Sequence, residues 1–253
     1  MNGTKLKPIE LSNYTISDED APFIVAELSG NHNNSIDVAL RLVEEAAKAG
    51  ADAFKLQTYT ADTMTIDSNE PDFLVTGTGE KWEKRTLYDL YSEASTPWEW
   101  HKPIYDKCKE HGMIPFSTPF DETAVDFLEK LGVSLYKIAS FDLVNLPLIK
   151  YVARIGKPII ISTGMSTLGQ IEEAVGVVRE EGNKNLILLH CNSSYPAAPH
   201  EMNLKVINNL QRLFKIPVGL SDHTFGLFVS HTALAKGANV IERHFTLDRT
   251  FEG

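Results

Sequence analysis

From residue 22 onward, short apolar runs alternate with segments of helical periodicity, and the alternation repeats until the chain has supplied eight strand candidates. No other feature restricts the fold as strongly. Strand-length runs separated by helical patterns are the mark of βα units, and successive units build a parallel sheet. The strand candidates are 23–26, 53–57, 113–117, 135–138, 158–162, 186–190, 217–220 and 239–243. Pro115 makes the register of the third uncertain. The first helix is expected after Ser35 as N-cap, with Ile36, Ala39, Leu40, Val43 and Ala47 on one face. Further helical patterns cover 98–111, 121–131, 145–155, 167–182, 203–214 and 225–236. Glycines at 50, 112, 132, 156, 182 and 237 follow helices as stops, where a left-handed residue lets the chain reverse toward the sheet. The stretch 58–96 is too long for a plain loop, and KWEKRTLYDLYSEA supplies a helix pattern inside it.

Eight units in 253 residues predict an α/β fold, a (β/α)8 TIM barrel occupying 1–253 as one domain. A doubly wound open sheet is the weaker alternative, because no GxGxxG or Walker sequence follows the first strand. The chain stops at Gly253, just after the eighth strand, and so reads as truncated before an eighth helix. Without that helix, Val38, Leu42, Leu227, Val229 or Ala233 are expected to face water.

Charge narrows the function. With 24 Lys plus Arg against 34 Asp plus Glu, the net charge of -10 argues against a nucleic-acid-binding surface. Cys108 and Cys191 stand alone, without zinc-type or CxxC spacing, which favours a reducing cytoplasm over a disulfide scaffold. No signal-peptide core and no bilayer-length apolar run occurs, so no membrane role is expected.

In a parallel barrel, chemistry belongs at the carboxyl ends of the strands. Polar residues gather there: Glu27, Ser29, Asn31 and His32 after strand one; Lys55 and Gln57 on one face of strand two; Ser117 and Thr118 after strand three. Lys137 and Ser140 mark strand four, Ser162 and Thr163 strand five, and His190 through Tyr195 strand six. Ser221, Asp222 and His223 close strand seven, and Glu242 and His244 sit two apart on strand eight. A lysine inside an apolar strand must reach water or an anion. One such lysine is as readily explained by snorkelling, but two, set among hydroxyls, predict an anion site. His223 and His244 close neighbouring strands and are the best metal candidates, with Glu27 or Asp222 as a further oxygen ligand or water-orienting group. His101, His111, His200 and His231 fall in helices or connections and read as structural. Trp82, Trp98, Trp100, Tyr88 and Tyr91 read as helix packing or a substrate lid.

The motifs AELSGNHN, KLQTYTADTMT, FSTPF, YKIAS, STGMS, HCNSSYP, GLSDHT and IERHFTLDRTFEG occur in this order. Together they resemble the sialic acid synthase family, and the resemblance runs from Phe23 to Gly253. ELSGNHN with KLQTYTADTMT looks most like its pseudaminic acid synthase branch. The resemblance implies condensation of phosphoenolpyruvate with an N-acyl amino-sugar aldehyde, with a divalent metal, Mn2+ or Mg2+, as cofactor. It implies His223 and His244 as metal ligands and Glu27, Lys55 and Lys137 as catalytic groups. Lys55, Thr118, Lys137, Ser140, Ser162 and Ser221 would hold phosphoenolpyruvate, while Glu27, Gln57 and Tyr195 would face the sugar. In the sixth motif either Asn192 or Ser193 would contact phosphate. The family pattern adds a C-terminal antifreeze-like domain and a homodimer in the full-length protein. Alternatives are an N-acetylneuraminic or legionaminic acid synthase, a synthase for a phosphorylated sugar acceptor, which would need a further cationic site, and a non-catalytic sugar- or metal-binding barrel.

Overall fold

The computed structural model describes residues 6–76 and 83–249. Eight parallel strands close into a barrel: β3 (Phe23–Glu27), β4 (Ala53–Thr58), β5 (Ile114–Pro119), β6 (Tyr136–Ile138), β7 (Ile159–Ser162), β8 (Leu186–Cys191), β9 (Val218–Ser221) and β10 (Val240–His244). Pairing of β10 with β3 completes the ring and sets Val240 beside Phe23 and His244 beside Glu27. Pro115 lies inside β5, opposite Phe54, without breaking the pairing.

The principal crossover helices are α1 (Ile36–Lys48), α4 (Trp98–Glu110), α5 (Glu122–Leu131), α6 (Leu146–Arg154), α7 (Leu168–Glu180), α8 (Lys205–Phe214) and α9 (Phe228–Ala235). Ser35 caps α1 by accepting from the Val38 N–H, and Asp121 caps α5 by accepting from Thr123 and Ala124. Each side chain satisfies amide donors that the first helical turn leaves unpaired. The six glycine stops all have φ between +72° and +86°. The stretch after β4 carries two short helices, α2 (Ala61–Met64) and α3 (Leu87–Ala94). Trp82 and Lys81 lie outside the described residues.

Sequence periodicity missed one element. A hairpin of β1 (Ile9–Leu11) and β2 (Tyr14–Ile16) lies against the amino-terminal end of the barrel. Three-residue strands are too short to show a period of two. Ile9, Leu11 and Ile16 join Phe23, Ile160 and Val240 in one buried cluster inside the barrel, separate from the larger layer between barrel and helices. Asn239 ties the hairpin exit to β10 by donating to the Ser17 carbonyl at 2.9 Å. Gly219 is required by close approach, since a Cβ there would sit 2.3 Å from the Val240 carbonyl oxygen.

The expected exposure at the outer wall needs correction. Leu42, Val229 and Ala233 are buried, Val38 is half-buried, and Leu227 is exposed together with Phe225 and Phe228. Leu42, Val229 and Ala233 turn toward the core on their own helices and need no further helix to cover them. Among the described residues, no helix is long and apolar enough to cross a membrane.

Candidate active site

Along each strand the inward-facing residues change character from one end to the other. The file Phe23, Val25, Glu27 runs from apolar to charged. So do Ala53, Lys55, Gln57 and Val240, Glu242, His244, while Leu135 is followed by Lys137 and Ile160 by Ser162. Alternation of two keeps each file on the barrel's inner face, so the carboxyl end of the barrel is lined by the polar members. They surround a cavity of about 210 Å³.

Its floor is an ion network. Glu27 and Lys55 pair at 2.5 Å. Glu242 lies between two cations, 3.9 Å from the Lys55 ammonium and 3.8 Å from that of Lys137. Lys55 also donates to Thr118 Oγ1 at 3.4 Å, and Lys137 to the Ile138 carbonyl at 3.1 Å. Ser221 donates to Glu242 at 3.3 Å. All four ionic residues are no more than 6% exposed. Burial alone would neutralise each of them. Burial pulls Lys55 down, but Glu242 and Glu27 outweigh it and raise its pKa. Lys137 stays lowered, first by burial and then by Lys55, against the pull of Glu242. Burial raises the Glu27 carboxyl against Lys55; in Glu242 burial is outweighed by Lys137, Lys55 and the two histidines, and its pKa falls.

The two histidines stand at the edge of this floor with ring centroids 5.3 Å apart. Hydrogen-bond acceptors place a proton on each Nδ1. His223 Nδ1 lies 2.8 Å from the Asn192 carbonyl oxygen, which only accepts, so Nδ1 carries the proton. Ser29 has one hydroxyl hydrogen and gives it to Glu27 Oε1 at 3.0 Å. It therefore accepts from His244 Nδ1 at 3.0 Å. In a neutral His244 this leaves Nε2 unprotonated. Burial pulls the His223 pKa down, but its contacts with Cys191 and the Asn192 carbonyl outweigh burial and raise it. Burial, His223 and Lys55 push His244 down to about 3, which keeps it neutral. This is the state in which imidazole ligates a metal, with the second nitrogen oriented by a hydrogen bond. The pair fits a divalent cation in donor type. Among the described residues, no group of three or more His, Cys, Asp or Glu side chains forms a metal cluster.

A second feature is a polar cradle. Gly164, after β7, donates its N–H to Ser140 Oγ at 3.1 Å. A Cβ at Gly164 would meet Ser193 Oγ at 2.3 Å and Ser140 Oγ at 2.8 Å. Ser162 Oγ is buried and has no hydrogen-bond partner among the described residues. An orphan hydroxyl beside two lysines and two further serines is a donor set awaiting an anion.

The structure brings Glu27, Lys55, Gln57, Thr118, Lys137, Ser140, Ser162, Ser193, Tyr195, Ser221, His223 and His244 onto one cavity. Asn192 is not on its wall: its side chain accepts from the Ser194 N–H, and its carbonyl holds His223. Of the two residues left open by the sequence, Ser193 is the one that lines the cavity. Asp222, named as an oxygen ligand, is turned away. Its carboxylate accepts from Thr224 and Arg243 and is also hydrogen-bonded by Ser230, all behind β9. His32 is buried against Trp100, outside the cavity. His101 is buried between α4 and the barrel wall, 2.8 Å from Thr58 Oγ1. Sequence reasoning placed Glu242 and Ser29 at the rim but gave them no part in the ion network or in orienting a histidine. The signal for Glu242 was present: it shares a strand face with His244.

Comparison with known proteins agrees with this geometry. The NeuB family model matches residues 42–253. A pseudaminic acid synthase of Campylobacter jejuni subsp. jejuni is 44% identical over 91% of this chain, and the chain spans 66% of that protein's length. An N,N'-diacetyllegionaminic acid synthase of the same organism is 41% identical over 91% of the chain and is matched over 69% of its own length. The crystal structure of an N-acetylneuraminic acid synthetase from Leptospira borgpetersenii, solved with citrate, superposes with a TM-score of 0.88 at 32% identity, covering 98% of this chain and 81% of that one. The strand-end motifs, the closed barrel and these matches agree, and the chain belongs to the NeuB family.

Proposed function

We propose that the protein condenses phosphoenolpyruvate with an N-acyl amino-sugar aldehyde, releasing phosphate and forming a nonulosonic acid, and that it acts as a pseudaminic acid synthase. The observation that carries this reading is the pairing of a floor of two lysines and several hydroxyls with two imidazoles on a single cavity. A donor with both phosphate and carboxylate suits the floor, and an uncharged carbonyl acceptor suits the histidine side. The high identity to pseudaminic acid synthases supports the choice of acceptor. The similar identity to a legionaminic acid synthase makes that acceptor the second reading.

In this mechanism Lys55, Lys137, Thr118, Ser162 and Ser221 hold the donor's anionic groups, with Ser140 and Ser193 closing the cradle beside Gly164. His223 and His244 would hold the divalent cation, Mn2+ or Mg2+, which supplies Lewis acidity to a carbonyl oxygen. The methylene carbon of phosphoenolpyruvate bonds to the aldehyde carbon as the carbonyl π bond opens to an oxyanion, which takes up a proton; the electron-poor carbon left behind adds water, which gives up a proton. The resulting tetrahedral phosphate ester expels phosphate. Lys55 and Lys137 offset the donor's negative charge while the floor excludes water, where such interactions are strongest. Glu27, hydrogen-bonded through Ser29 to His244, orients the acceptor and exchanges its proton.

Phosphate release by the full-length protein with phosphoenolpyruvate, Mn2+ and a panel of N-acyl hexosamines tests the reading. Release with at least one acceptor of the panel is expected. Release that does not depend on any sugar acceptor, or none with the whole panel, would overturn it. Lys55→Ala and Lys137→Ala should each raise the phosphoenolpyruvate KM or lower kcat/KM by roughly a hundredfold or more. A defect confined to the sugar KM would place the anion site elsewhere.

A further inference from the structure

The strand ends that supply Gln57 and Thr118 to the cavity are gripped from behind. On β4, Thr58 continues the outward file of Phe54 and Leu56, and on β5, Ser117 lies between the inward Phe116 and Thr118. His101, in the first turn of α4, meets them from the helix layer. None of the three exposes any surface. Thr58 Oγ1 lies 2.6 Å from Ser117 Oγ and 2.8 Å from His101 Nε2, and His101 Nδ1 lies 3.3 Å from the Pro97 carbonyl oxygen. The reaction above uses none of these groups.

This chain of hydrogen bonds runs in one direction. The Pro97 carbonyl only accepts, so His101 Nδ1 carries a proton. Burial keeps the ring neutral, which leaves Nε2 as an acceptor. Thr58 gives its single hydroxyl hydrogen to Nε2, and Ser117 then gives its own to Thr58. The helix grips the same strand end a second time, since the Trp98 indole donates to the Tyr59 carbonyl at 3.2 Å. Stability gives no reason for such a chain. The layer around it is apolar, and three apolar side chains of the same shape would fill the space with no polar group to desolvate. Hydrogen bonds add direction instead: they fix β4 and β5 against each other and against α4, where apolar contacts tolerate small slides.

The inner face of the same strands is what the chain holds in place. Gln57 lies opposite Thr118 across the ladder, and each is one residue from a member of the chain. Thr118 Oγ1 in turn accepts from the Lys55 ammonium at 3.4 Å. We propose that His101, Thr58 and Ser117 are positioning residues for the anion floor, holding Thr118 and Lys55 from behind so that phosphoenolpyruvate meets both in place. The inference rests on the proposed use of phosphoenolpyruvate and not on the identity of the acceptor. A small displacement of the two strand ends weakens the contacts that the floor makes to the donor.

The test measures phosphoenolpyruvate binding directly, by calorimetry on the full-length protein with Mn2+, beside steady-state phosphate release and urea unfolding. The triple variant Thr58→Val, Ser117→Ala, His101→Leu removes all three partners together and leaves no side-chain donor orphaned. It should keep the native urea midpoint and weaken phosphoenolpyruvate binding by about tenfold, with KM rising in step and kcat changed by no more than about threefold. Thr58→Ser keeps the hydroxyl and should bind within about twofold of the native protein. Ser117→Ala leaves the Thr58–His101 bond in place and should weaken binding by about threefold, so the test survives if the triple variant fails to fold. Native affinity in every folded variant would overturn the positioning role. So would a Thr58→Ser protein that binds as weakly as the triple variant. A native protein that binds phosphoenolpyruvate but releases no phosphate with any acceptor would remove the condensation, while the affinities still decide the positioning role. Absence of phosphoenolpyruvate binding by the native protein would overturn both.

Discussion

The two ends of the barrel interior are built from the same eight strands and have opposite chemistry. At the amino-terminal end Phe23, Leu135, Ile160 and Val240 meet the β1–β2 hairpin in a dry cluster. Further along the same files come Glu27, two steps of two residues on, and Lys137, Ser162 and Glu242, one step on, all buried and charged or hydroxylated. The apolar end gains stability from every buried methylene. The polar end gains little, because a buried ion pair roughly cancels its own desolvation. What it gains is a preorganised field. Fold and function therefore occupy different halves of one interior, and substitutions should separate them.

The largest effect is expected at the histidines. His223→Ala and His244→Ala should each abolish stoichiometric divalent-metal binding and lower phosphate release by about a thousandfold or more, while thermal unfolding stays cooperative. Metal analysis with a melting curve checks this, and unchanged metal content in both variants would place the ligands elsewhere. At the opposite end, Phe23→Ala should cost about 3–5 kcal/mol of stability by leaving a cavity in a fully buried cluster. Its folded fraction should retain normal phosphoenolpyruvate KM. A stable but inactive Phe23→Ala protein would break the division between the two ends.

The barrel wall offers an intermediate case. Burial lowers His101 to about 4, against partial compensation from backbone carbonyls. Its folded pKa lies below its unfolded value near 6.5, so the unfolded chain binds more protons between them. Stability is therefore fully present above about pH 6.5 and falls as the pH drops toward 4, by about 3 kcal/mol at most for this group. Urea unfolding from pH 7 to 4 should show that slope, and His101→Gln should flatten it. The smallest effect belongs to the cradle. Gly164→Ala should raise the phosphoenolpyruvate KM by about tenfold, because the new methyl displaces the Ser193 and Ser140 hydroxyls. An unchanged KM would show that the anion does not use this cradle.

Much of this division was legible in the chain. The eight apolar runs, the helices between them and the glycine stops gave the barrel, because strand and helix periods are local properties of sequence. Lys55 with Gln57, and Glu242 with His244, revealed their shared faces through the same period of two. The hairpin escaped because IEL and YTI are each shorter than a readable period. The direction of Asp222 escaped because it lies one residue beyond β9, where alternation no longer governs and Arg243, Thr224 and Ser230 capture the carboxylate.

The sequence by itself determined the elements, their order and the polar character of one rim, since each depends on residues close together in the chain. Tertiary structure decided which of those polar groups interact. Glu242 stands between lysines 187 and 105 positions away in the chain, and Ser29 bridges Glu27 to a histidine 215 residues distant. It also set Ser193, and not Asn192, on the cavity wall and gathered Tyr59, Met64, Tyr91, Phe120 and Phe141 onto it. The physical reason is closure: only when β10 pairs with β3 do the strand ends form a ring small enough for charges from the two halves of the chain to meet at ion-pair distance.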